Sequence, residues 1–93
     1  MYYILFYTTA SDYMERRGDF RQSHLEMASK AVENGEIVMG GALDDPPDKA
    51  LIVFQGEGPK VAENFAKNDP YVLNGIVVEW EVRPWNVVIG GKK

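Results

Sequence analysis

Tyr2-Tyr3-Ile4-Leu5-Phe6-Tyr7-Thr8 is aromatic, β-branched or apolar on both of its alternating faces. A strand of that kind is covered on two sides, so it reads as the centre of a sheet. Strands are also predicted at Glu36–Leu43, at Lys49–Gln55 and at Ile76–Val82. In the last, Val78, Trp80 and Val82 alternate against Val77, Glu79 and Glu81. Pro84 breaks that strand, and Trp85 to Ile89 adds a short one. The Gly40-Gly41 pair predicts a bulge or a close backbone approach. Helices fill two of the gaps. The first runs over 20–34, after a broken helical region interrupted by Gly18. Asp19 is placed to cap it and Gly35 to stop it. Phe20, His24, Ala28 and Ala31 share one of its stripes, with Leu25 and Val32 beside it. The second helix opens near Pro59 and ends at Pro70, because the residue before a proline is pushed out of helical geometry. Val61, Ala62, Phe65 and Ala66 form its buried stripe.

The order is β-α-β-β-α-β, the ferredoxin-like arrangement of an α+β domain. Two helices cover one face of a four-stranded antiparallel sheet. Ninety-three residues suit one domain, 1–93, with a mobile tail over 90–93. The uncovered face is apolar and predicts a homodimer.

Composition narrows the function. Apolar residues make up 45% and aromatics 12%, as in a packed globule. Net charge is −4 and the sequence pI is about 4.9, which excludes a nucleic-acid binder that works by displacing counterions. There is no cysteine, hence no disulfide and no thiolate nucleophile, which fits a reducing, cytoplasmic setting. With one histidine and no cysteine, a zinc site is not expected. No apolar run is long enough to span a membrane, and the apolar start reads as a strand rather than a signal peptide.

His24, the only histidine, is the first candidate for chemistry, since it titrates near neutral pH. Its plain alternative is a core histidine satisfied by backbone. Arg21 lies one turn earlier, and its fork suits carboxylates or phosphates; alternatively it is a solvated surface residue. Asp69, in Asn68-Asp69-Pro70-Tyr71, reads as an acid at a helix C-terminus, which the helix dipole disfavours. It is there for a cation, a hydrogen bond or a function, or it accepts bonds from the backbone of Tyr71 or Val72. The Tyr71 hydroxyl reaches the same site or fills the core. Asp44, Asp45 and Asp48 form a turn rather than a cation loop.

These residues carry a family resemblance. The opening strand Tyr2 to Tyr7, Arg21 with His24-Leu25, Gly35, Gly40-Gly41, Asp69-Pro70-Tyr71, Gly75 and Val82-Arg83-Pro84-Trp85 together resemble the YCII-related (YciI-like) proteins, over nearly the whole chain. The resemblance implies a dimeric α+β barrel, similar in architecture to muconolactone isomerases. It also implies a histidine–aspartate acid–base pair, which falls on His24 and Asp69.

The expected function is a cofactor-independent, lyase- or isomerase-like enzyme acting on a small anionic metabolite, aromatic or lactone-like. His24 is the general acid or base, Asp69 orients it, and Arg21 and Tyr71 help bind substrate. The alternative is a non-catalytic dimeric ligand-binding or interaction module with a structural His24–Asp69 pair. A third reading puts haem on His24. If the pair is functional, the fold is expected not to depend on it.

Overall fold

β1 (Tyr2–Thr9) does occupy the interior of the sheet, as its two-sided pattern requires. In the computed structural model, which describes residues 1–91, it is followed by α1 (Tyr13–Arg16), a 3₁₀ turn (Arg17–Asp19) and α2 (Arg21–Glu33). Then come β2 (Ile37–Ala42), β3 (Lys49–Gln55), α3 (Lys60–Asn68), α4 (Pro70–Leu73) and β4 (Val77–Trp85). The four strands lie in the order β2-β3-β1-β4, all neighbours antiparallel. This is the expected α+β ferredoxin-like fold. Of the tail expected over 90–93, Gly91 is placed beside Val87 and Tyr2, while Lys92 and Lys93 lie outside the described residues. Among the described residues no helix is long and apolar enough to cross a membrane.

Period-two alternation decides which side chains meet the helices. Tyr3, Leu5 and Tyr7 are buried on that face, with Phe54 and Ile52 opposite them on β3 and Ile37 on β2. α3 lays Ala62, Phe65 and Ala66 on this layer, and the rings of Phe54 and Phe65 meet edge to face at 5.5 Å. Tyr2, Ile4 and Phe6 point the other way and stay half-buried.

Four boundaries differ from the sequence reading, each for a local reason. In β4 the register shifts opposite Thr8/Thr9, so that Thr8 faces Glu79 and Thr9 faces Val77. The extra residue, Val78, is exposed, and the shift brings both Val77 and Trp80 to the helix face. Val78, Trp80 and Val82 therefore do not form one stripe, and the open face of β4 carries Glu79, Glu81 and Arg83. β4 also runs through Pro84, paired with Tyr3; it is an edge strand, where a proline nitrogen faces the unpaired side. No strand forms at 86–89.

The bulge in β2 falls between Ile37 and Met39, not at Gly40-Gly41, which pair regularly with Ile52 and Leu51. Gly40 answers a close approach instead: a Cβ there would lie 3.2 Å from Ile52 Cγ1. Finally, Asp19 does not cap α2. It belongs to the 3₁₀ turn, and the chain passes from that turn into the helix at Phe20, whose N–H donates to the Arg17 carbonyl at 3.0 Å.

α2 and α4 both end on a glycine with positive φ, Gly35 at 77° and Gly75 at 73°. At each, two backbone bonds close the helix: Glu36 N–H to Ala31 and Gly35 N–H to Val32, then Ile76 N–H to Tyr71 and Gly75 N–H to Val72. Nothing crowds either position, so a Cβ is opposed by the dihedral alone. Gly35→Ala and Gly75→Ala should each lose about 1–2 kcal/mol. Gly18→Ala, equally uncrowded and without a positive φ, should lose less. Thermal unfolding checks this, since about 1 kcal/mol moves the midpoint by roughly 4–8 °C in a domain of this size. Equal shifts at all three positions would contradict the argument.

Candidate functional site

The site begins with the break between α3 and α4. Pro70 keeps Asp69 out of helical geometry, at φ −69° and ψ 125°, and itself opens α4. Asp69 is thus not stranded at the negative end of a helix. It caps the next one: Tyr71 N–H donates to Oδ1 at 3.0 Å, and the Asp69 carbonyl accepts from Val72 and Leu73. The dipole mismatch expected from the sequence is absent because a second helix starts where the first stops.

The same carboxylate is completely buried, at 0% exposure, and takes two further donors. The Tyr7 hydroxyl donates to Oδ2 at 2.7 Å. His24 Nδ1 lies 2.8 Å from Oδ1 and 3.0 Å from Oδ2. His24 and Asp69 are therefore hydrogen-bonded partners within one chain, and the backbone bond from Tyr71 coexists with their contact. Burial first, then the Asp69 charge and the bond to it, push the Tyr7 phenol far above the ordinary tyrosine range. This favours the neutral phenol, the form that donates to Asp69.

His24 itself is held on three sides. Its ring stacks on Tyr71, with centroids 4.0 Å apart and planes 5° from parallel. Phe65 meets it edge to face at 6.4 Å. With Nδ1 turned to a carboxylate, the free lone pair belongs on Nε2. Nε2 has no hydrogen-bond partner among the described residues, yet no buried nitrogen or oxygen there goes unsatisfied. The side chain is 15% exposed, so Nε2 is the atom that looks out.

It looks into a cavity of about 330 Å³ between α2 and the sheet. Small residues make the room: Ala28 on the helix, Gly40, Ala42 and Ala50 on the strands. Arg21, expected at the site, lines this cavity, as does Tyr71. Tyr71 does more than the sequence suggested. Its N–H caps Asp69, its ring carries His24, and its phenol is raised above the usual range by burial and by Tyr13, against a downward pull from Arg21 and Arg17.

Tyr13 and Arg17 also line the cavity, and the sequence reading missed both. The signal was present. Positions 13, 17, 21 and 24 form one helical stripe if the broken region before residue 20 is read as continuous. Among the described residues, no group of three or more His, Asp or Glu is placed to hold a metal ion.

Comparison with known proteins agrees with this architecture. An uncharacterised protein of Haemophilus influenzae is 28% identical over 97 residues, covering 95% of this chain and 99% of its own. The structure of 5-chloro-2-hydroxyhydroquinone dehydrochlorinase from Burkholderia phenoliruptrix AC1100, in complex with 2,5-dihydroxybenzoquinone, superposes with a TM-score of 0.76. That match covers 92% of this chain and 94% of the other at 18% identity, a likeness of fold. The YCII-related domain model matches residues 1–86, and the chain belongs to that family.

Proposed function

We propose that this chain is a small-molecule enzyme in which His24 is the general acid–base and Asp69 orients it. One observation carries the reading: an imidazole locked by Nδ1 onto a buried carboxylate, with Nε2 unpaired over a ligand-sized cavity. Asp69 fixes the tautomer and balances the positive charge that His24 gains when Nε2 takes a proton. The proton then returns to another atom of the substrate, an isomerisation, or to a leaving group, an elimination. Such transfer contributes roughly 10²–10⁴-fold. The substrate is a small anionic metabolite, with Arg21 and Tyr71 among the groups that bind it. The structural neighbour supports this direction. Its name describes loss of HCl from an oxygenated ring, and such a loss needs an acceptor for a proton. We place the enzyme in the cytoplasm, in keeping with a chain that has no cysteine.

The rival reading, a ligand-binding module with a structural His24–Asp69 pair, draws on the burial of Asp69. The carboxylate joins β1, α2 and α4, and on this reading the fold depends on Asp69. The two members of the pair are then separable. Asp69→Asn presents an amide to three donors and should cost about 1–3 kcal/mol of stability in melts. His24→Ala leaves Asp69 two donors and a path to water, so its melting temperature should stay close to that of the parent. Turnover of carboxylated lactones and phenols, the first compounds to screen, should fall by roughly 10²–10⁴-fold in His24→Ala. A substrate turned over equally well by His24→Ala would end the acid–base proposal.

Tyr7 makes a separate prediction for alkaline pH. Its folded pKa lies above its unfolded value of 10.0, so its contribution is complete below pH 10 and declines as pH rises further. The decline approaches about 1.4 kcal/mol per pH unit for one such group. Tyr7→Phe should lose roughly 0.5–1.5 kcal/mol at neutral pH with its hydrogen bond to Asp69. It should also show a shallower fall in melting temperature above pH 10. Parallel alkaline slopes for the two proteins would show that the phenol is not held neutral by Asp69.

The active form we propose is a homodimer packed through the uncovered sheet face. Tyr2, Ile4, Phe6, Leu51, Val53 and Met39 give that face an apolar centre, and Glu79, Glu81 and Arg83 give it a charged rim. An interface above roughly 1,000 Å² in total is expected. Light scattering at micromolar concentration should find twice the chain mass; a monomer would exclude this assembly.

A further inference from the structure

Arg16 ends α1, Arg17 opens the 3₁₀ turn and Arg21 opens α2, and only the first has its guanidinium engaged by polar groups of the protein. Arg16 donates to the Asn74 carbonyl at 2.7 Å and stands 3.7 Å from Asp12. Among the described residues the guanidinium groups of Arg17 and Arg21 make neither a hydrogen bond nor an ion pair. Arg17 is nevertheless half-buried, with its guanidinium 5.7 Å from the centre of the Tyr13 ring. Both arginines line the His24 cavity. Among the described residues no aspartate or glutamate lines it, although the chain carries a net charge of −4. Asp69, behind His24, is completely buried and already takes three donors.

A charged group drawn partly out of water without a partner is unfavourable, and a guanidinium fork fits a planar oxyanion in two parallel hydrogen bonds. The attraction of the Arg17 guanidinium to the Tyr13 ring restricts the fork in advance, which lowers the ordering cost of using it. The rest of the cavity argues for a flat ligand. Tyr13, Tyr71, Leu25 and Ile52 supply apolar and aromatic walls, and the volume is at the small end of ligand cavities, which run from roughly 300 to 1,000 Å³.

Resting on the acid–base reading of His24, we propose that Arg17, assisted by Arg21, receives the carboxylate of a single-ring substrate and so decides which molecules reach Nε2. Arg17 is a specificity residue. The carboxylate sits at the mouth, the ring lies along the aromatic walls, and the hydrogen to be removed points at His24. An uncharged ring of the same size lacks the anchor. Inorganic phosphate lacks the ring.

The test reads binding separately from chemistry. Benzoate, phenol and inorganic phosphate are titrated into the full chain, and the imidazole NMR signals of its sole histidine are followed. Benzoate should give a saturable shift, and phenol and phosphate should bind at least roughly tenfold more weakly. Arg17→Gln should weaken benzoate by roughly tenfold or more, the loss of a charged hydrogen-bond pair, with its melting temperature unchanged. Arg17→Lys should recover only part of the affinity, because an ammonium has no fork. Calorimetry should show that His24→Ala still binds benzoate. Absence of saturable binding, undiminished binding by Arg17→Gln, or phosphate binding as tight as benzoate would each overturn the carboxylate site and leave the role of His24 standing. Retained turnover in His24→Ala beside an intact Arg17 effect would do the reverse, sparing the anion site and removing the acid–base reading.

Discussion

A carboxylate without access to water is the constraint around which this molecule is organised. Isolated in an apolar interior, the Asp69 charge would be strongly unfavourable. It is tolerated because its two oxygens collect a phenol, an imidazole and a backbone amide. Each donor comes from a different part of the fold: Tyr7 from the central strand, His24 from α2, Tyr71 from the start of α4. Satisfying one charge thereby fixes how helix, strand and helix meet. The same bonds that make Asp69 tolerable also dictate the site, because they set the tautomer of His24 and keep Tyr7 protonated.

Such an arrangement contributes less to stability than it does to uniqueness. A buried ion pair often breaks even against well-packed apolar residues of similar volume. What an apolar substitute would not supply is a ring whose outward nitrogen is aimed and whose inward nitrogen is held. Tyr71 shows the economy of the design, since one residue donates the capping amide to Asp69 and the stacking surface to His24. Pro70 makes this possible by ending α3 and opening α4 in a single step.

Much of this was legible in the residues. Lys49–Gln55 is a strand with the expected limits, Gly35 does stop α2, and the two-sided pattern of Tyr2 to Thr8 did locate the centre of the sheet. The histidine and the aspartate stood out because each was unusual for its place. What stayed hidden depended on pairing. A bulge is a relation between two strands, so neither Val78 nor Val38 carries a local mark, and one extra residue was enough to turn Trp80 to the helix face. Whether Pro84 ends a strand depends on whether that strand is at an edge, which only the sheet order reveals. Arg17 and Tyr13 were lost for a different reason. Gly18 reads as an interruption, while the chain continues through a 3₁₀ turn that keeps the two side chains in step with Arg21 and His24.

The charges in the site are layered. The carboxylate lies deepest, the imidazole next, and beyond it the cavity that two arginines line. In the proposed reaction, a proton drawn from a bound molecule would move inward, toward the layer that can compensate a positive imidazole. The negative charge left on the substrate stays outward, on the side of the guanidinium groups. Both products of charge separation are thus met by fixed, preorganised partners of opposite sign, and neither needs water to reorient. Reversing the layers would oppose the transfer at both ends. On the proposed reading, the placement of the acid behind His24, with arginines lining the cavity beyond it, suits this cavity to proton transfer.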